Sequence, residues 1–283
     1  MNSPKSARLR VPGASLYYEV RGSGPLLLLI HGGGGSTTTF DGIANSLADQ
    51  YTVVAYDRRG LSRSTLDDPQ EEQRVETHSD DAHRLLKMLG TDYEPAFVFG
   101  SSAGAVVGLD LVARYPEQIS TLIAHEPATH LLSEADPLQE LVPIREAYHR
   151  EGLASVFQML AAQNPFHLDD REPDAKLPEQ TLENRERNMK NIVFMFEHEL
   201  PMFDRYGLDF AALKKASAQT RIVLAGGNGR QDSAYRSAAA VADQIGTAFI
   251  EFPGRHLGYV THPRAFAGRL HSVFGDEGMP DTA

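Results

Sequence analysis

Six short, nearly unbroken apolar runs recur along the chain: LLLLI at 26–30, TVVAYD at 52–57, AFVFG at 96–100, TLIAHE at 121–126, RIVLAG at 221–226 and AFIEFP at 248–253. Runs this short and this apolar read as strands covered on both faces, the mark of a parallel sheet. Between or after them lie stretches with helical periodicity, about 37–49, 78–89, 102–115, 234–245 and 263–274. Strand and helix in alternation build βαβ units and a three-layer α/β architecture. Ligands bind beyond the carboxyl ends of the strands in such a sheet. The loops that open at His31, Asp57, Ser101, Glu126, Gly226 and Pro253 are therefore expected along one edge. The leading segment LRVPGASLYYEVRGSGP alternates and carries Gly and Pro, as an antiparallel hairpin does.

One interval breaks the rhythm. Residues 127–218 hold no strand-like run, only helical patterns separated by prolines. A helical insertion at the carboxyl end of a strand would sit over the ligand edge, so it reads as a cap inserted after the sixth strand. The expected division is 1–126 and 219–283 for the α/β body, with 127–218 as the cap. Within the cap, Ile192, Met195, Phe196 and Glu199 fall on one helical face; packing against the body accounts for most of such a face, and a few positions are left to line a pocket.

Composition narrows the chemistry. The net charge of −11, with no Lys/Arg cluster, argues against nucleic acid or an anionic membrane as partner. With no cysteine, disulfides, Cys-ligated zinc and thiol catalysis are excluded. No signal-like apolar region opens the chain, and PLLLLI is too short to cross a bilayer, so a cytoplasmic protein is expected. No motif calls for a metal or other cofactor. The sequence is compatible with a homo-oligomer but does not specify one.

The motif that carries chemistry is Gly100-Ser101-Ser102-Ala103-Gly104, a G-x-S-x-G between a strand and a helix. Glycines there let strand and helix close tightly while the central serine is held with its hydroxyl exposed. Ser102 is that serine; Ser101 or Ser102 as a plain helix N-cap is the competing explanation. A serine hydroxyl needs a base, an acid to orient it and donors for an oxyanion. The run His31-Gly32-Gly33-Gly34-Gly35 offers unobstructed backbone amides, so Gly32 or Gly33 together with Ala103 would form an oxyanion hole. A phosphate loop is the weaker reading, because no G-K-[ST] or GxGxxG follows. His256, in PGRHLG just after the last apolar run, is the expected base, with His31, His262 and His271 read as structural or solvated. Two acids compete. Glu126 ends the run TLIAHE, on a strand expected about 5 Å from that of Ser102. Asp232 lies in the loop GGNGRQDS but comes late after its strand. Asp57, Arg58 and Ser62, in YDRRGLSRS, read as braces of the active edge. The helical segment EHE at 197–199 is not a metal site, since adjacent residues on a helix point different ways.

Together HGGGG, YDRRGLSRS, GSSAG and HLGYVTHP resemble the α/β-hydrolase superfamily over nearly the whole chain outside the cap. The pairing of SSAG with HEPA and PGRHLGYVTHP is similar to the zearalenone-lactonase-type hydrolases. That resemblance implies an α/β-hydrolase fold and a Glu after the sixth strand as the triad acid, favouring Glu126 over Asp232. It implies a serine hydrolase acting on a small-molecule ester or lactone through an acyl-enzyme. The same fold also carries C–C bond hydrolases, cofactor-free haloperoxidases or perhydrolases, and ligand receptors. Neither substrate identity nor the residues that contact substrate are named by any motif.

Overall fold

The computed structural model describes residues 4–90, 94–129, 137–163, 170–173, 175–177 and 181–275. Among the described residues nine strands form one sheet: β1 (Lys5–Val11), β2 (Ala14–Arg21), β3 (Leu26–Ile30), β4 (Thr52–Tyr56), β5 (Thr65–Leu66), β6 (Ala96–Ser101), β7 (Ile119–His125), β8 (Arg221–Gly226) and β9 (Ala248–Glu251). Their spatial order is β1-β2-β4-β3-β6-β7-β8-β9, with β5 paired to β2. The pairs β1/β2, β2/β4 and β2/β5 are antiparallel, and every other pair is parallel. This is the expected α/β-hydrolase architecture. The six apolar runs are β3, β4, β6, β7, β8 and β9. The insertion follows the seventh strand in chain order rather than the sixth, because the two-residue β5 precedes it.

Alternation along the strands divides the core into two layers. Leu28, Ile30, Val98, Leu122 and Leu224 face one cluster, while Leu27, Leu29, Phe99, Ile123 and Val223 face the other. The first layer is covered by α2 (Val75–Leu89), α3 (Ala103–Arg114) and α10 (Ser233–Ile245). The second is covered by α1 (Asp41–Leu47) and α12 (Pro263–Gly275), the latter preceded by the single-turn α11 (Gly258–Thr261).

Between β7 and β8 the described residues hold helices and no strand: α4 (Pro137–Glu140), α5 (Val142–Glu151), α6 (Leu153–Gln163), α7 (Leu182–Phe194), α8 (Leu200–Arg205) and α9 (Phe210–Ala216). Helices α5 to α8, here called the lid, share an apolar centre of Ile144, Val156, Phe196 and Leu200. Leu213 and Ala216 of α9 pack into the first core layer with α3 and α10. The reason is topological: β7 and β8 are parallel neighbours, so the chain must return to the far end of the sheet, and α9 covers the sheet on that crossover.

Between Met195 and Glu199 the helix widens to i→i+5 spacing, with Leu200 N–H donating to Met195 O. Pro201 follows and has no N–H to donate back to the preceding turn, which interrupts the ordinary ladder. Among the described residues no helix is long and apolar enough to cross a membrane.

Candidate active site

Strand register brings the site together. Ile30 pairs with Gly100, Ser101 with His125, and His125 with Ala225. His31, Ser102, Glu126 and Gly227 therefore leave neighbouring strands side by side, at their carboxyl ends.

Ser102 sits on the turn between β6 and α3 at φ 55° and ψ −119°, a conformation that L residues rarely adopt. Two contacts hold it there. Its N–H donates to His125 O at 2.9 Å, and its C=O accepts from Ala105 N–H at 3.0 Å. The glycines allow the close approach: a Cβ on Gly100 would lie 2.4 Å from Gly104 O, and one on Gly104 only 2.1 Å from Ile30 O. Ala103 is the first residue of α3, so its N–H has no partner within the helix. Gly32 passes so near that a Cβ on it would lie 3.2 Å from Ser102 Cβ.

Glu126 also has a positive φ, 47°. Its N–H donates to Ala225 O at 2.9 Å, which turns the side chain toward the loop after β8. There Oε1 accepts from Gly227 N–H at 2.8 Å, and Oε2 lies 2.6 Å from His256 Nδ1. The carboxylate is buried, at 2% exposure. Burial by itself would raise its pKa, but the His256 hydrogen bond, the neighbouring His125 and His256 rings and the Gly227 amide together hold it at about 2. A charged carboxylate can only accept, so Nδ1 carries the proton and Nε2 is left as the acceptor. Asp232 is elsewhere engaged: its carboxylate lies 3.2 Å from Arg255 Nη1, at the N-cap of α10.

Ser102 and His256 line one cavity of about 380 Å³ beneath the lid. Gly32, Gly33 and Ala103 line it too, and the remaining wall is largely apolar, with Leu141, Ile144, Ile192, Met195, Phe196 and Leu200 from the lid. No Lys or Arg is among the described residues of that wall. The sequence had singled out the face bearing Ile192, Met195 and Phe196; the α5 contributions have no comparable signal. The brace residues act as such. Asp57 accepts from Thr37 N–H at 2.8 Å and from Arg63 Nε at 2.8 Å. His31 donates from Nδ1 to Gly32 O at 2.8 Å and accepts the Arg58 N–H at Nε2, 3.2 Å away. Burial and the Arg58 charge push its pKa well below the ordinary histidine value, so the ring is neutral. His271 contacts the Tyr51 hydroxyl at 3.1 Å and His262 the Thr261 hydroxyl at 2.9 Å, both away from the cavity.

In the EHE segment, Glu197 accepts from the Tyr148 hydroxyl at 2.7 Å, His198 packs on Phe194, and Glu199 turns inward. Among the described residues, no three His, Asp or Glu side chains converge as metal ligands.

Residues 25–241 match the family model described as the alpha/beta hydrolase fold. The chain belongs to the α/β-hydrolase fold family. This α/β hydrolase is 43% identical to "Uncharacterized hydrolase YraK" of Bacillus subtilis over 272 residues, 95% of this chain and 96% of that one. It is 31% identical to the zearalenone hydrolase of Bionectria ochroleuca over 121 residues, 42% of this chain and 46% of that one. The solved enol-lactonase from Burkholderia xenovorans LB400 superposes with a TM-score of 0.69, covering 95% of this chain and 100% of that one at 18% identity, a likeness of fold alone.

Proposed function

We propose that this α/β hydrolase cleaves uncharged carboxylic esters or lactones through an acyl-enzyme on Ser102. The observation that carries the reading is the 2.6 Å contact of buried Glu126 with His256, whose ring shares one cavity with the serine of the elbow. In this scheme His256 Nε2 takes the Ser102 hydroxyl proton as Oγ bonds to the acyl carbon. The carbonyl oxygen becomes an oxyanion facing the amides of Ala103 and of Gly33 or its neighbour Gly32. Glu126 holds the ring in the tautomer that can accept and stabilises the imidazolium. His256 then returns the proton to the leaving oxygen as the carbon–oxygen bond breaks. Water deacylates the serine by the same route, with His256 again as base.

The apolar wall, without Lys or Arg among its described residues, favours a neutral acyl group over a carboxylate-bearing one. The name of one comparison protein, a zearalenone hydrolase, agrees with lactone chemistry. The test is pre-steady-state release of nitrophenol from 4-nitrophenyl butyrate, alongside a panel of macrocyclic and small-ring lactones. A burst equal to the enzyme concentration, abolished in Ser102→Ala, is expected. Turnover of the panel that survives Ser102→Ala would defeat the assignment.

A further inference from the structure

Gly33 can serve an oxyanion only if its N–H is aimed into the cavity. That N–H shares a rigid peptide plane with Gly32 C=O and points the opposite way. Whatever fixes Gly32 O therefore fixes Gly33 N–H. Three donors converge on Gly32 O: His31 Nδ1 at 2.8 Å, Arg58 Nη2 at 3.0 Å and Gly35 N–H at 3.2 Å. Arg58 Nε adds a bond to His31 O at 3.2 Å.

The lid holds the same loop from the other side. Glu199 Oε1 lies 2.5 Å from Arg58 Nη2, and its Oε2 accepts the Gly34 N–H at 2.9 Å. Both side chains are wholly buried, at 0% exposure. About two helical turns earlier, Asn191 donates to Gly35 O at 3.0 Å and accepts the N–H of Ser62 at 2.7 Å. Between them, Met195 Sδ would lie 3.1 Å from a Cβ on Gly33. A side chain at that point would have to push Met195 back by a few tenths of an ångström.

A buried carboxylate beside an oxyanion hole is at first sight counterproductive, since it opposes the charge that develops there. Contact with Arg58 removes that objection. The pair is locally neutral, while its hydrogen-bonding ends stay fixed on the loop.

We infer that Glu199 is a positioning residue for catalysis: carried by the lid and neutralised by Arg58, it holds the glycine loop so that the Gly33 amide faces the oxyanion. This rests on the acyl-enzyme reading above. The lid thereby completes the catalytic apparatus, with Met195 and Glu199, four residues apart on one helical face, set on the loop together.

The test compares Glu199→Ala, Glu199→Gln and Asn191→Ala by kcat and KM on a nitrophenyl ester, inhibition by an aryl boronic acid, and thermal unfolding. The boronic acid adds to the Ser102 hydroxyl and places an oxygen in the hole. Glu199→Ala frees the Gly34 amide and should lower kcat about ten- to a hundredfold with KM within about twofold. Its boronic acid affinity should fall in parallel. Glu199→Gln keeps an acceptor for Gly34, so kcat should recover to within about threefold of wild type, although Arg58 is left unpaired and the melting temperature drops. That separation of catalysis from stability is not expected of a merely structural contact. If Glu199→Ala does not fold, Asn191→Ala, which removes no charge, should lower kcat in the same manner. Wild-type kcat and boronic acid affinity in a folded Glu199→Ala or Asn191→Ala would overturn the inference while leaving the acyl-enzyme reading intact. Absence of ester and lactone turnover in the wild type would instead remove the reading on which both stand.

Discussion

Replacing Glu126 with Gln preserves volume and changes one thing, the direction in which protons are offered. Gly227 N–H points at Oε1 from 2.8 Å and requires an oxygen there. The amide NH2 of the new side chain must then face His256 Nδ1, where the carboxylate oxygen lay 2.6 Å away. Two donors would meet, so the imidazole gives up its Nδ1 proton and carries it on Nε2 instead. That is the nitrogen needed to accept from Ser102, and the base is disabled without any loss of packing. A tautomer inversion of this kind costs about ten-thousandfold in kcat in a serine triad, about 5.5 kcal/mol of transition-state stabilisation. Asp232→Asn is the matched control. Asp232 is 39% exposed on its side chain and faces Arg255 across 3.2 Å. Such a pair is worth about 0.2–1 kcal/mol. The Asp232 side chain makes no capping hydrogen bond to α10, so kcat should stay within about threefold of wild type. The assay is kcat and KM on 4-nitrophenyl butyrate from pH 6 to 9, with circular dichroism to confirm folding. Equal losses in the two variants, or a Glu126→Gln enzyme retaining more than about a tenth of kcat, would refute the tautomer argument.

Three further outcomes follow from burial and from the space around two glycines. Burial holds His125 at about 4 against an ordinary 6.5; at Glu126 burial raises the pKa, but the His256 hydrogen bond, the His125 and His256 rings and the Gly227 amide together hold it at about 2 against 4.5. In both cases the unfolded chain takes up the proton first as pH falls. Stability should therefore be full above about pH 6.5, decline toward pH 4 as His125 titrates and again from 4.5 to 2 as Glu126 does, at about 1.4 kcal/mol per pH unit for each group. Buried His31 and His78, also held below the ordinary histidine value, steepen the first phase. Urea midpoints at pH 7.5, 6.0 and 5.0 check this, and a midpoint that rises on acidification would contradict it. Gly104→Ala drives a Cβ to 2.1 Å from Ile30 O, a backbone atom that cannot step aside, and should cost more than about 3 kcal/mol or prevent folding. Gly268→Ala, on the exposed face of α12 with nothing within 4 Å of the new Cβ, should instead raise stability by about 0.5–1 kcal/mol, read as a higher melting temperature.

Much of the sheet was legible because a strand buried on both faces has almost no freedom of composition. LLLLI, AFVFG and RIVLAG can hardly be anything else, and they are β3, β6 and β8. The two-residue β5 is invisible, since Thr65–Leu66 is too short to show a period and is defined by its partner, Ala14–Ser15. The start of α2 at Val75 falls three residues before the expected 78 because Val75 is itself buried against the lid side of the body, with Ala103 and Phe203. The placing of Glu126 rather than Asp232 beside His256 lay within reach of strand adjacency alone, but the carboxylate is aimed by Gly227, whose N–H is directed by the register of β7 on β8.

The lid shows where a linear reading stops. Arg58 reads as a brace in YDRRGLSRS, and Glu199 as the one polar position on an otherwise apolar helical face. Each alone is most simply a solvated charge, because burying either by itself costs several kcal/mol. Only their contact makes burial tolerable, and only the fold reveals the contact. The apolar face of α7 could have been satisfied by any groove in the body. Glu199 cannot: it needs a buried cation and a free amide within one carboxylate's span, and Arg58 and Gly34 supply both beside Ser102. A lone acid on an apolar helical face is thus a positional signal, since it marks where on the body the lid must land. In this chain that place is the loop whose amides the proposed chemistry needs.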